Sequence, residues 1–304
     1  MTARGTVGSQ SSGGPVSSGV DWPFVLRVTL PVVAVMVAAT ALLTALSREW
    51  TAFDLTVYLE AGRRLASGMD PYAFSMPPID ALYRYSPMFA VLMAPLSGLP
   101  LPVVAFAWRL VAFGLLGLSV RGLGWVGVII LFNPLVVFDL LVANVSTLFL
   151  AAMITVVRWP SARTVAGYAL LVVLVPKPTL LPVLAWGLWR VAPARLPVGL
   201  VAALGVATLA IPGYAPAVLS GSHIFGLMQN LQALSPMTVY VALSAAACLT
   251  IASTRWPRLL GPAAVLATPY YFDYGWMLIL LALVPAGTVA AGPMMAWRRP
   301  RRSS

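Results

Sequence analysis

An all-α membrane bundle with about ten transmembrane helices is the fold this sequence predicts, and three observations predict it. Apolar residues fill 60% of the 304 positions and charged residues 9%, where a soluble domain carries about a quarter charged. Mean hydropathy is +0.91. The apolar residues fall in repeated runs of roughly 13 to 20, which suit helical spans rather than the short alternating strands of a barrel. A single integral domain is expected over 21–297, between a Gly/Ser-rich disordered tail at 1–20 and a basic tail at 298–304.

A formal charge of +11 raises two partners, nucleic acid and an anionic membrane surface. The arginines stand singly or in pairs at the ends of apolar runs, which favours the bilayer. No aromatic-interleaved basic face suggests nucleic acid. Cys248 is the single cysteine and lies inside an apolar run, so neither a disulfide framework nor a thiolate metal site is expected. With one histidine and scattered carboxylates there is no metal motif, and no Walker loop, dinucleotide fingerprint or Ser-His-Asp arrangement stands out. No cofactor is expected.

In chain order, a first retained span is read over about 24–46. A polar first outer loop follows over 47–86, within which Leu55, Tyr58, Leu59, Leu65 and Ala66 recur at helical spacing before Gly68. That pattern predicts an amphipathic helix lying at the membrane interface. Residues 87–98 are too short for a span and dip or lie flat. Spans then follow at 102–120, 123–140, 144–157, 164–176, 179–189, 197–212, 236–254, 259–271 and 275–292. This count places most arginines, among them Arg121, Arg158, Arg163, Arg190, Arg255 and Arg258, on the cytoplasmic side with both termini, as the positive-inside rule requires. The short runs on either side of Pro176-Lys177-Pro178 expose backbone, and so predict a cavity open to the outer face.

The chemistry gathers on that outer face. Of eight acidic residues, Glu49, Asp54, Glu60, Asp70 and Asp80 crowd into the first loop, and Asp139 and Asp273 sit at the outer ends of their spans. Asp54 is the leading candidate, although Thr51-x-x-Asp54 also reads as a variant capping box in which the aspartate serves the helix dipole. Glu60 with Arg63 or Arg64 reads as an i,i+3 or i,i+4 pair. Lys177, the single lysine, costs roughly 2.5 to 3.5 kcal/mol inside hydrocarbon and so either snorkels to headgroups or holds an anionic group such as a phosphate. Asp273 reads as a site residue or as part of an interface belt, and His223 as a polar contact or as incidental.

Several segments, in order, resemble glycosyltransferase family 87. Phe53-Asp54-x-x-Val57-Tyr58 followed by Gly68-x-Asp70-Pro71-Tyr72 looks like that family's first loop. Tyr83-Arg84-Tyr85-Ser86-Pro87 is similar to its aromatic-Tyr-Pro-Pro stretch, with serine for the first proline. Val142-Ala143-Asn144-Val145-Ser146 stands where the family carries Gly-Gln-x-Asn, out of register. Pro176-Lys177-Pro178 matches a lysine-proline element, and Thr268-Pro269-Tyr270-Tyr271-Phe272-Asp273-Tyr274 a late Ser-Pro segment with aromatics. The resemblance implies a GT-C fold and an inverting transfer of mannose from a polyprenyl-phosphate donor to a lipid or glycan acceptor on the exterior face of the plasma membrane. Asp54 is then the general base. Lys177, with Arg63 or Arg64, neutralises the leaving phosphate. Tyr58, Tyr72, Tyr85 and Tyr271 stack on sugar rings, and Asn144, His223, Gln229 and Asp273 contact sugar or acceptor. Two other classes stay open on sequence alone: a lipid or small-solute transporter, and a non-catalytic membrane subunit.

Overall fold

The computed structural model describes residues 52–76, 83, 85–175, 177–191, 236–267 and 273–287. The chain divides into two compact units, Met1–Leu42 and Leu43–Ser304, and every described residue belongs to the second. The expected span at 24–46, the span at 197–212, both tails, and His223, Gln229 and Tyr271 lie outside the described residues.

The described chain is helical, with no β-strand. We number its helices α1 (Phe53–Ala66), α2 (Pro87–Met93, continued by a 3-10 turn over Ala94–Leu96), α3 (Leu101–Val120), α4 (Trp125–Leu131), α5 (Pro134–Val142), α6 (Ser146–Arg158), α7 (Ala162–Leu174), α8 (Leu181–Val191), α9 (Pro236–Ala252) and α10 (Leu260–Leu266). A 3-10 helix over Asp273–Leu283 follows.

Helices stand where the apolar periodicity puts them, yet most are too short to be separate spans. Among the described residues, one helix is long and apolar enough to cross a bilayer: α3, with 20 residues, about 30 Å. α4 and α5 pass the same test together, bent by 41° at their junction. The expectation of about ten transmembrane helices is therefore not supported. The helices are shorter than the apolar runs that hold them, and proline stands at several of their ends. Pro134 starts α5 with Asn133 as its cap, the Asn133 side chain accepting from Leu135 N at 3.0 Å. Pro176 and Pro178 separate α7 from α8, and Pro257 separates α9 from α10. Each proline lacks a backbone donor and disfavours helical backbone at the residue before it.

The surface of α3 is inverted relative to a soluble helix. Val103, Phe106, Leu110, Val111, Leu115 and Leu118 are exposed, while Arg109 and Ser119 are buried. The outward face of α3 is a continuous apolar strip.

α1 departs from the expected interfacial helix. Its C-terminal end is as read: Gly68 sits at φ 70°, Gly68 N donates to Leu65 O and Met69 N to Arg64 O at 2.8 Å, the paired bonds of a Schellman cap. The first ten residues, however, are enclosed by protein, with Phe53, Leu55, Val57, Tyr58, Leu59, Ala61 and Gly62 all buried. Asp54, Thr56 and Glu60 keep partial exposure along it, and the last turn is its most exposed part.

Gly62 sets how closely α1 approaches α2. A Cβ there would lie 2.7 Å from Ala94 N and from the Met93 carbonyl carbon, both backbone atoms that cannot step aside. Gly62→Ala should therefore push α1 off α2 and lower stability by about 1–3 kcal/mol, read as a lower unfolding midpoint in detergent; an unchanged midpoint would show that the contact is loose.

Candidate functional site

Asp54 occupies the first turn of α1. The residue before the helix, Ala52, holds a left-handed conformation (φ 57°) and gives no side-chain cap. Its backbone N–H donates to Leu141 O at 2.9 Å, which ties the start of α1 to the end of α5. In the first turn Asp54 is placed as the helix-dipole reading has it, while Thr51 of the capping-box reading lies outside the described residues; the carboxylate is also engaged across the bundle, where Asn144 Nδ2 donates to Asp54 Oδ2 at 2.7 Å.

The α5–α6 junction that supplies Asn144 is built around a second strained alanine. Ala143 has φ 54°, and the bonds Ala143 N to Leu140 O and Asn144 N to Asp139 O close α5 in another Schellman-like cap. Among the described residues, these two alanines are the non-glycine positions with positive φ, and they stand on either side of the Asp54–Asn144 bond. Left-handed backbone costs an L-residue roughly 1–2 kcal/mol, and strain of this kind gathers where a side chain must be aimed. Beyond the turn, Asn144 Oδ1 accepts from Ser146 N (3.0 Å) and Ser146 Oγ (2.8 Å), and Trp108 Nε1 donates to Asn144 O at 3.2 Å. Every polar atom of Asn144 is thus occupied, which fixes the amide that faces Asp54.

Three residues that sequence reasoning left out of the site hold it together. Asp139 is fully buried; its Oδ2 accepts from Thr147 N (2.8 Å) and Thr147 Oγ1 (2.6 Å), capping α6. Asp139 also lies within electrostatic range of both Asp54 and Lys177, which puts all three charges in one region. Arg109, on α3 and buried, donates from Nε to Leu140 O (2.9 Å) and from Nη2 to Leu141 O (2.7 Å), placing a cation on the negative end of α5. Trp108 is the third. The available signal was Asp139 eight residues before Thr147 and an arginine in mid-span, and neither says which carbonyls or amides it will meet.

Lys177 stands between Pro176 and Pro178, its N–H donating to Val175 O (2.8 Å) and its carbonyl accepting from Leu180 N (3.0 Å). The ammonium lies 4.9 Å from the Tyr85 ring centroid and 5.5 Å from that of Phe149, within cation–π range. Tyr85 Oη meets Tyr58 Oη at 3.0 Å, and the two rings pack edge to face at 4.9 Å. Tyr72 Oη donates to Tyr85 O at 3.1 Å. Ser86, where the resemblance expects proline, donates its Oγ to Leu174 O at 2.7 Å and so fastens the tyrosine segment to the end of α7 that leads into Lys177. Asp54 and Lys177 are each only partly buried, whereas Tyr58, Tyr85, Asn144 and Asp139 are buried around them.

Arg63 and Arg64 are not brought to this cluster. They lie nine residues or more along α1 from Asp54, about 14 Å of helix axis. Arg63 makes a two-point ion pair with Glu60 (2.7 and 2.8 Å) at the surface. Arg64 Nε donates to Asp70 O at 2.9 Å, and its guanidinium lies over Phe74 at 5.6 Å. Asp70 Oδ1 in turn accepts from Tyr72 N at 2.8 Å, so Arg64 anchors the loop that carries Tyr72. Asp273 begins the last 3-10 helix. Among the described residues no group of three or more His, Cys, Asp or Glu gathers as a metal site.

Two substitutions test this construction. Asn144→Ala removes the donor to Asp54 and the acceptor for Ser146, and should cost about 1–3 kcal/mol. Ala143→Gly relieves the left-handed strain and should raise stability by up to about 1 kcal/mol. Chemical denaturation of the purified chain reads both, and a destabilised Ala143→Gly would contradict the cap geometry. No family model, no curated protein and no solved structure matches this chain.

Proposed function

We propose that the chain is a polytopic membrane glycosyltransferase similar to family 87, moving a sugar, mannose by that resemblance, from a polyprenyl-phosphate donor to a hydroxyl of a lipid or glycan acceptor. One observation carries the reading: in a chain that otherwise avoids charge, a partly accessible carboxylate, Asp54, is held by Asn144, and an ammonium, Lys177, lies against aromatic rings, both within electrostatic reach of Asp139. The exposed apolar face of α3 supports a bilayer setting, and the reading puts the site on the exterior face of the plasma membrane, taking the arginine-flanked ends of the apolar runs as cytoplasmic.

The step balances with these groups alone. The acceptor oxygen attacks the anomeric carbon as Asp54 takes its proton. The bond from that carbon to the phosphate oxygen breaks, and its electron pair leaves with the polyprenyl phosphate. A phosphate needs no strong acid to depart; it needs positive charge, which Lys177 supplies. Attack from the face opposite the phosphate inverts the centre. The Tyr58–Tyr85 pair and Tyr72 offer ring faces to a sugar, and Asn144 keeps the carboxylate oriented. Arg63 and Arg64 take no part in this version of the site.

Asp54→Asn retains an oxygen for the Asn144 amide, so the fold should hold while transfer from polyprenyl-phosphate mannose in membranes falls about a hundredfold to ten-thousandfold. Undiminished turnover removes Asp54 as the base. Lys177→Met should raise the donor concentration needed for half-maximal rate and leave the acceptor dependence alone; equal effects on both would assign Lys177 to folding.

A further inference from the structure

The far end of α6, twelve residues and about 18 Å of helix from Asp139's cap, carries a second charged feature that the transfer reaction does not use. Arg158, Arg190 and Arg255 close α6, α8 and the turn after α9, and each lies over tryptophan: Arg158 over Trp159 at 4.3 Å, Arg190 over Trp186 at 5.4 Å, Arg255 over Trp256 at 5.2 Å. The segment after the last 3-10 helix draws them together. Gly287 N donates to Val157 O at 2.9 Å, and Gly287 O accepts from Arg190 Nη2 at 3.2 Å. A Cβ on Gly287 would collide with the Arg158 carbonyl, so glycine is needed for this closure.

Beside that closure opens a cleft of about 360 Å³, with Arg255, Trp256, Pro257 and Arg258 on one wall and Ala282–Ala286 on the other. Both arginines are exposed, and among the described residues neither has a carboxylate partner. Two uncompensated guanidiniums over one cleft match a phosphate ester. The opposite wall is apolar, and half-exposed Leu283 continues along its helix to exposed Ile279 and Trp276. A free phosphate gains nothing from such a wall, whereas an amphiphile fills both halves. Trp256, about half exposed beside the cations, is the residue type that sits at headgroup level.

We infer that this cleft is a binding site for the headgroup of an anionic phospholipid, with Arg255 and Arg258 on the phosphate and the acyl chains along Leu283 and Ile279. The inference does not rest on the transferase reading and survives its failure. The test uses the purified full chain in mild detergent, titrated with dioleoylphosphatidylglycerol, dioleoylphosphatidylcholine or inorganic phosphate, reading bound lipid by native mass spectrometry and the melting temperature. Phosphatidylglycerol should be retained over phosphatidylcholine and raise the melting temperature. Arg255→Gln/Arg258→Gln should weaken that retention roughly tenfold or more. Arg255→Lys/Arg258→Lys should restore most of it, and Arg121→Gln/Arg163→Gln, which removes two exposed arginines outside the cleft, should leave it intact. Equal retention of the two lipids by the wild-type chain, equal loss in both glutamine pairs, or a phosphate-induced shift as large as the lipid's would each overturn the inference. Should the first glutamine pair not fold, the wild-type comparison and the lysine pair still decide.

Discussion

A carboxylate at the edge of an apolar helical bundle needs donors, because the hydration it loses there is otherwise uncompensated. The hydrogen bond from Asn144 to Asp54 meets that requirement, and much of the described structure serves to make it. Ala52 and Ala143 accept left-handed backbone so that the two residues face each other. Arg109 closes the carbonyls at the end of α5, Asp139 and Asn144 cap the start of α6, and Trp108 steadies the Asn144 carbonyl. Polar groups that would otherwise be stranded at interrupted helix ends become each other's partners.

The same interruptions account for the site's position. α5 and α6 meet end to end in the interior, so the negative end of one helix and the positive end of the next lie close together. Arginine is suited to the first end and aspartate to the second. Charges brought in to satisfy helix ends then lie within reach of Asp54 and Lys177, which gives the region a field that the apolar walls do not screen. Lys177 stands at a second break, its backbone bonded to Val175 and Leu180 and its ammonium over Tyr85 and Phe149.

Much of this was legible in the sequence. Apolar periodicity located the helices, Gly68 marked the end of α1, and Asp54, Tyr58, Tyr72, Tyr85, Asn144 and Lys177 were singled out by residue type and now stand in one region. What was not legible depends on contacts between distant positions. Nothing local distinguishes Asp139 from a carboxylate at an interface, or tells that Arg109 reaches Leu140 and Leu141 thirty-one and thirty-two positions on. The reach of Arg63 and Arg64 was misjudged because i,i+3 pairing and a loop carbonyl satisfy them on the surface. Hydropathy overstated the spans, since it sums apolar content and counted runs whose helices are too short to cross a bilayer, and the packing of α1 on α2 at Gly62 is invisible to periodicity.

The central claim is that the Asp54 carboxylate and the Lys177 ammonium serve sugar transfer. The most direct measurement incubates the purified wild-type chain, in bilayers, with radiolabelled polyprenyl-phosphate mannose and a panel of lipid acceptors, and determines the anomeric configuration of any product. The account predicts a labelled acceptor with the anomeric centre inverted. Donor that binds or crosses the bilayer while no acceptor is labelled would contradict it.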